Sequence, residues 1–160
     1  MIDLLATAQG PRLSVAPEVE DVLQSVPGWL ASVGRKGKDP AADRLSPRVY
    51  ADDELATAEF DRLMTPELDA GRRADRARYE EVIARAVGGG TVLDEEESFA
   101  VLRVLDEARL VIAARLGIDS DEWEPGPSMD DSPELHLYHL LGWVQDALIG
   151  AAEHVLLGDG

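Results

Sequence analysis

The chain has 160 residues, with 32 acidic side chains against 15 basic ones and a formal charge of −17. That length suits one domain with one core, which needs neither metal nor disulfide to stay folded. So negative a field repels nucleic acid unless it is locally reversed. The absence of cysteine excludes thiol nucleophiles, thiolate metal sites, iron–sulfur clusters and disulfide switches.

Taken in order, residues 2–8 and 12–16 flank Gln9-Gly10-Pro11, a turn signal, and Arg12 to Val15 alternates with period two. This predicts a short hairpin within 1–16. Asp3 and the Gly-Pro break stand where a secretory signal would need a cationic segment and a long apolar run, and no run approaches 18 apolar residues. The expected address is therefore cytoplasmic.

Pro17 suits a first helical position, and Val19, Val22, Leu23, Val26, Trp29 and Leu30 follow at helical spacing, with Pro27 expected to kink or interrupt the helix. Residues 34–48 hold no periodicity and read as a loop. The pair Asp52-Asp53 is placed to cap a short helix carrying Leu55, Phe60, Leu63 and Met64. Thr65-Pro66 then reads as the start of a second helix that runs through Tyr79, Val82 and Ile83 and stops at Gly88-Gly89-Gly90.

Asp94 with Glu97 three residues later resembles a capping box. It opens the clearest helix, whose buried side is marked by Phe99, Leu102, Leu105, Ile112 and Leu116 and which Gly117 ends. Val101, Val104 and Val111 add a second apolar face, so this helix is expected at the centre. An acidic loop over 119–132 precedes a last helix striped by Leu135, Tyr138, Leu141, Leu148, Ala152 and Val155. The expected fold is all-α: a single domain over 1–160, a bundle of about five helices with a short N-terminal β-hairpin.

Candidate chemistry is sparse. His136 and His139 lie three apart, with Glu134, Asp130 and Asp131 nearby, and are weak candidates for a metal. An i, i+3 histidine pair is common without one, so no metal and no cofactor is assigned. The glycines at 88–90 follow a helix and precede Asp94 to Glu97, which suits helix termination and not a phosphate loop. Asp119-x-Asp121 opens like a calcium loop, but Glu124 and Asp130 stand where that loop needs glycine and glutamate.

Arg72, Arg73, Arg76 and Arg78 form a basic cluster hemmed in by Asp69, Asp75, Glu80 and Glu81. Spacings of four predict intrahelical pairs Asp69–Arg73 and Arg76–Glu80. Asp106, Glu107 and Arg109 fall inside the most apolar helix, where a buried Arg109 would need a carboxylate from another helix. No nucleophile elbow, zinc-protease, dinucleotide or kinase signature is present.

Three stretches, RLSPRVYADDELATAEFDRL at 44–63, LDEARLVIAARLGI at 105–118 and LYHLLGWVQDALI at 137–149, together resemble a family of small actinobacterial proteins. It is described as a domain of unknown function and typified by the actinomycete oxidative stress regulator (AosR). The first family pattern falls on Arg44, Leu45, Pro47, Tyr50, Asp52 and Asp53, with Val49 in place of an alanine. The second falls on Leu105, Arg109, Leu110, Arg115, Leu116, Gly117 and Ile118, with Asp106 and Glu107 where the family tends to have Asn and Asp. The third falls on Tyr138 and Gln145.

The resemblance implies a cytoplasmic, non-enzymatic regulatory protein acting by protein–protein interaction, associated with transcription through a sigma factor or another transcription component. Cysteine-based redox sensing does not carry over to a chain without cysteine. The polar signature residues are Arg44, Tyr50, Asp52, Asp53, Arg109, Arg115, Tyr138 and Gln145, with structural or interaction roles. Two further readings stay open: a metal- or small-ligand-binding bundle around His136 and His139, and a DNA-binding regulator using Arg72 to Arg78. Homo-oligomerisation is also left open.

Overall fold

The computed structural model describes residues 2–34, 38–45, 52–120, 122–126 and 132–156, without the side chains of 155 and 156. Its order is β1 (Ile2–Thr7), β2 (Gly10–Val15), α1 (Pro17–Ala31), α2 (Pro40–Leu45), α3 (Glu54–Val87), β3 (Thr91–Val92), α4 (Glu95–Leu116) and α5 (Pro133–Leu156). The expected helical domain with an N-terminal hairpin is the architecture found.

The hairpin turns earlier than its sequence suggests, at Ala8 and Gln9 instead of Gln9 to Pro11, with Thr7 paired to Gly10. The Thr7 hydroxyl donates to the Gly10 carbonyl (2.6 Å) and accepts from the Gln9 N–H (3.3 Å), which closes the turn without glycine at its tip. Gly10 and Pro11 therefore belong to β2. Pro11 lies opposite Ala6, one step from the closing pair, where the alternating ladder asks β2 for no N–H toward β1. Its carbonyl accepts from the Leu93 N–H (2.8 Å) and ties in β3, which pairs antiparallel with β2 in the order β1-β2-β3. Two residues are too short to carry a period, so β3 has no sequence signal.

Two prolines are carried through helices. Pro27 sits inside α1, which does not break, and Pro66 sits inside α3, which runs unbroken for 34 residues, about 50 Å at the α-helical rise. The expected separate helices before and after Thr65-Pro66 are one. A mid-helix proline removes the hydrogen bond to the carbonyl four residues back. Around Pro66 the surface is exposed, so water can satisfy the freed Arg62 carbonyl. Around Pro27 it is not, and the Leu23 carbonyl instead accepts from the hydroxyl of Tyr79 on α3 (2.8 Å, buried).

The stretch 34–48 is not wholly a loop, because Asp39 and Pro40 open α2. The Asp39 carboxylate accepts from the N–H groups of Ala41 and Gly34 (both 2.9 Å) and from Arg115 of α4 (2.9 and 3.2 Å). The Gly34 N–H above all, then Arg115 and the Ala41 N–H, hold this carboxyl below the usual aspartate range. A depressed pKa stabilises the fold above the ordinary value and is withdrawn as pH falls through the depressed one. Hydrogen-exchange protection of the Gly34 and Ala41 amides should therefore drop on acidification below about pH 4, ahead of the α4 core. Simultaneous loss across all helices would show that Asp39 does not set it.

Helix α4 lies at the centre and touches all four other helices. The capping box forms as expected: Asp94 accepts from the Glu97 N–H (2.8 Å), and the Glu97 carboxylate accepts from the Asp94 N–H (3.2 Å). Gly117 ends the helix in a left-handed conformation, φ 74°. Val101, Val104, Leu105, Ala108, Val111 and Ile112 are buried, but Phe99, expected inside, is 50% exposed. It falls on an outer stripe with Arg103, Asp106 and Leu110, at steps of four, three and four. The sheet packs through Ile2, Leu13 and Val15 into the same core as Leu141, Val144 and Leu148 of α5.

Candidate functional site

Two polar arrangements stand out, both built on α4. The first joins α4 to α5 at Arg109. Its guanidinium donates to the Gln145 side-chain carbonyl (2.9 Å), and Gln145 donates to Asp106 (3.5 Å). The same guanidinium lies 4.7 Å from the centre of the Tyr138 ring. Its Nε is buried without an acceptor, so Gln145 and the electron-rich ring face are what offset its desolvation. Gly142 makes room: a Cβ there would stand 3.2 Å from the guanidinium carbon. The expected carboxylate from another helix is thus an amide and an aromatic face.

The second arrangement joins α3 to α4 and absorbs most of the basic cluster. Arg76 pairs with Glu107 (3.0 Å), and Arg72 approaches the same carboxylate (3.9 Å) while donating to the Leu45 carbonyl (2.6 Å). Arg78 pairs with Glu96 (2.7 Å), and Asp75 with Arg103 (2.7 Å). The intrahelical pairs Asp69–Arg73 and Arg76–Glu80 are not among the ion pairs of the described residues. For Arg76 a contact between helices replaces the expected pair, because α3 turns it toward Glu107 of α4, while Arg73 is exposed.

A hollow of about 410 Å³ lies between α3 and α4, with Leu68 in its wall and Glu67, Asp75, Arg103 and Asp106 around it. Leu68 precedes Tyr79 by three turns on the core-facing side of α3, yet is 48% exposed, because the core ends before reaching it. A second cleft, about 450 Å³, is bounded by Arg44, Ala113, Ile118, Asp119, Ser120, Trp123, Pro125, Tyr138 and His139. It gathers residues from all three stretches that carry the family resemblance.

The remaining signature residues are dispersed. Asp53 caps α3 by accepting from the Ala56 N–H (2.9 Å). Asp52 is exposed in the preceding turn, Arg115 holds Asp39, and Tyr50 lies outside the described residues. His136 and His139 are both exposed, and the His139 ring tilts against Tyr138 with centroids 5.8 Å apart. Among the described residues no group of three metal-ligating side chains forms; Asp130, Asp131 and part of the calcium-like stretch lie outside them. No described helix is long and apolar enough to cross a membrane.

Sequence reasoning named Arg44, Arg109, Tyr138 and Gln145 but missed Trp123 and Ser120, which sit in an acidic loop with no pattern. No curated protein and no solved structure matches the chain. The model of the family described as a domain of unknown function, DUF2017, matches residues 1–152, and the chain belongs to that family.

Proposed function

We propose that this protein is a non-enzymatic cytoplasmic regulator that works by binding another protein, with a sigma factor or another transcription component as the partner class. The partner class and the kinship with the oxidative stress regulator come from the sequence resemblance. The observation that carries the binding role is the hollow between α3 and α4. It offers an apolar wall at Leu68, an adjoining stripe containing Phe99 and Leu110, and a charged rim on which Glu67, Asp75, Asp106 and Glu107 outnumber Arg72 and Arg103. An apolar centre with a charged rim is the usual anatomy of an interface. The rim's sign, like the net charge of −17, suits a basic partner whose association is fast and salt-sensitive. Direct DNA binding is disfavoured, since Arg72, Arg76 and Arg78 are engaged by Glu107 and Glu96.

Tagged protein incubated in host lysate should retain a transcription component, more strongly at low salt than at moderate salt. Leu68→Asp should weaken that retention at least tenfold, because it replaces the apolar side chain of the hollow's wall with a hydrated charge that the partner would have to desolvate. Leu68 is half exposed, so the variant should keep the wild-type melting temperature within a few degrees. Equal retention by the variant, or recovery of the bait alone, would sink the reading.

A further inference from the structure

We propose that the cleft bounded by α2, the segment after α4 and α5 is a binding site for a small aromatic carboxylate. Its volume, about 450 Å³, falls within the range of small-molecule sites. The site is distinct from the α3–α4 hollow and independent of the partner-binding role.

The chemistry of the walls selects the ligand. Arg44 is half-buried in the cleft and makes no hydrogen bond or ion pair with any described residue. The other arginines of the same chain that are half-buried against α4 are bonded: Arg72 and Arg76 to Glu107, Arg109 to Gln145. A guanidinium partly withdrawn from water without an acceptor gains most from a planar, bidentate oxyanion. Nearby, the Tyr138 hydroxyl, the Trp123 indole N–H and the His139 ring also have no hydrogen-bond partner among the described residues. The cleft therefore presents donors in excess of acceptors. Among the described residues Asp119 is the one acidic side chain in its walls, and it is exposed. It disfavours a dianion, so a single carboxylate fits better than a phosphate monoester.

The aromatic part follows from Trp123 and Tyr138, which offer ring surface beside the apolar Ala113, Ile118 and Pro125. The Tyr138 wall is held in place before any ligand arrives. Arg109 lies over the ring, Gln145 anchors Arg109, and Asp106 anchors Gln145. A wall fixed in advance spares a ligand the entropy of ordering it. This gives the signature residues Arg109 and Gln145 a positioning role, without contact to the ligand.

The test is a titration of the isotope-labelled full chain with benzoate, benzamide and phenyl phosphate, following the Trp123 indole N–H resonance. Benzoate should give a saturable shift below about 10 mM, with benzamide at least tenfold weaker and phenyl phosphate between them. Arg44→Gln should weaken benzoate at least tenfold while leaving benzamide unchanged. Arg44→Lys should recover part of the loss, because it keeps the charge and loses the fork. Were Arg44→Gln to disturb the fold, the benzoate-to-benzamide ratio in the wild type and the Lys variant would decide. No saturable shift with benzoate, equal affinity for benzamide, or undiminished binding by Arg44→Gln would each overturn the site. Phenyl phosphate binding above benzoate would overturn the carboxylate assignment.

Discussion

Glu107→Ala should lower stability by about 3 kcal/mol, near the lower end of what removing one member of a buried ion pair costs. In a chain of this size that corresponds to a fall of about 10 °C in melting temperature. The side chain is 12% exposed and faces two arginines that are themselves 18% and 25% exposed. Without the carboxylate, two like charges confront each other at the α3–α4 contact, and Arg76, whose Nε already lacks an acceptor, loses its only ion pair among the described residues. Arg72 keeps the Leu45 carbonyl, which is why the loss stops short of the largest values. Glu107→Gln retains an acceptor for Arg76 and should cost about half as much. Thermal and denaturant unfolding of the two variants measure this directly. A shift under about 2 °C for Glu107→Ala would mean that water replaces the carboxylate and that the pair contributes little.

Tyr79→Phe should cost about 2 kcal/mol, more than an average lost hydrogen bond, because a buried acceptor is left unmade. The acceptor is the Leu23 carbonyl, the one that Pro27 deprives of its helical partner. Tyr79 is fully buried, and burial pushes its phenol well above the ordinary tyrosine value, so it stays a donor throughout the folded range. In a Pro27→Ala background residue 27 regains its N–H, the Leu23 carbonyl is satisfied within α1, and the cost of Tyr79→Phe should fall by at least half. A double-mutant cycle with no coupling between positions 27 and 79 would show that the two features only happen to adjoin.

Those two residues also mark how far the sequence could be read. Val22, Leu23, Val26 and Trp29 announce a helix by spacing, and Asp94 with Glu97 announces α4 by side-chain chemistry alone. Both are local signals, and both were legible. What a proline does inside a helix is not local, because the outcome depends on whether water or another helix reaches the freed carbonyl. Tyr79 lies 56 positions from Leu23 and nothing in the intervening chain declares the meeting. Helix α2 carried a readable start in Asp39-Pro40, obscured by the glycines and lysines before it. The partners of Arg109, Arg72 and Arg76 depend on how α4 is set against α5 and α3, a matter of relative rotation and height that periodicity does not encode. For the same reason the cleft at Arg44 was visible only as separate residues on three stretches.

The packing of the hairpin against α5 has a consequence for biosynthesis. β1 and β2 are the first described elements to leave the ribosome, yet β1 finds its main helical neighbour in α5, the last of them. The strand that flanks β2 arrives some 80 residues later, so that edge stays uncovered while α1 to α3 are being made, and the face that α5 covers waits longer still. At typical rates of synthesis that interval lasts several seconds, long compared with the microseconds in which a hairpin forms. The nascent chain thus exposes Ile2, Leu13 and Val15 for most of its elongation, and a holdase that grips apolar strands would find its longest opportunity there.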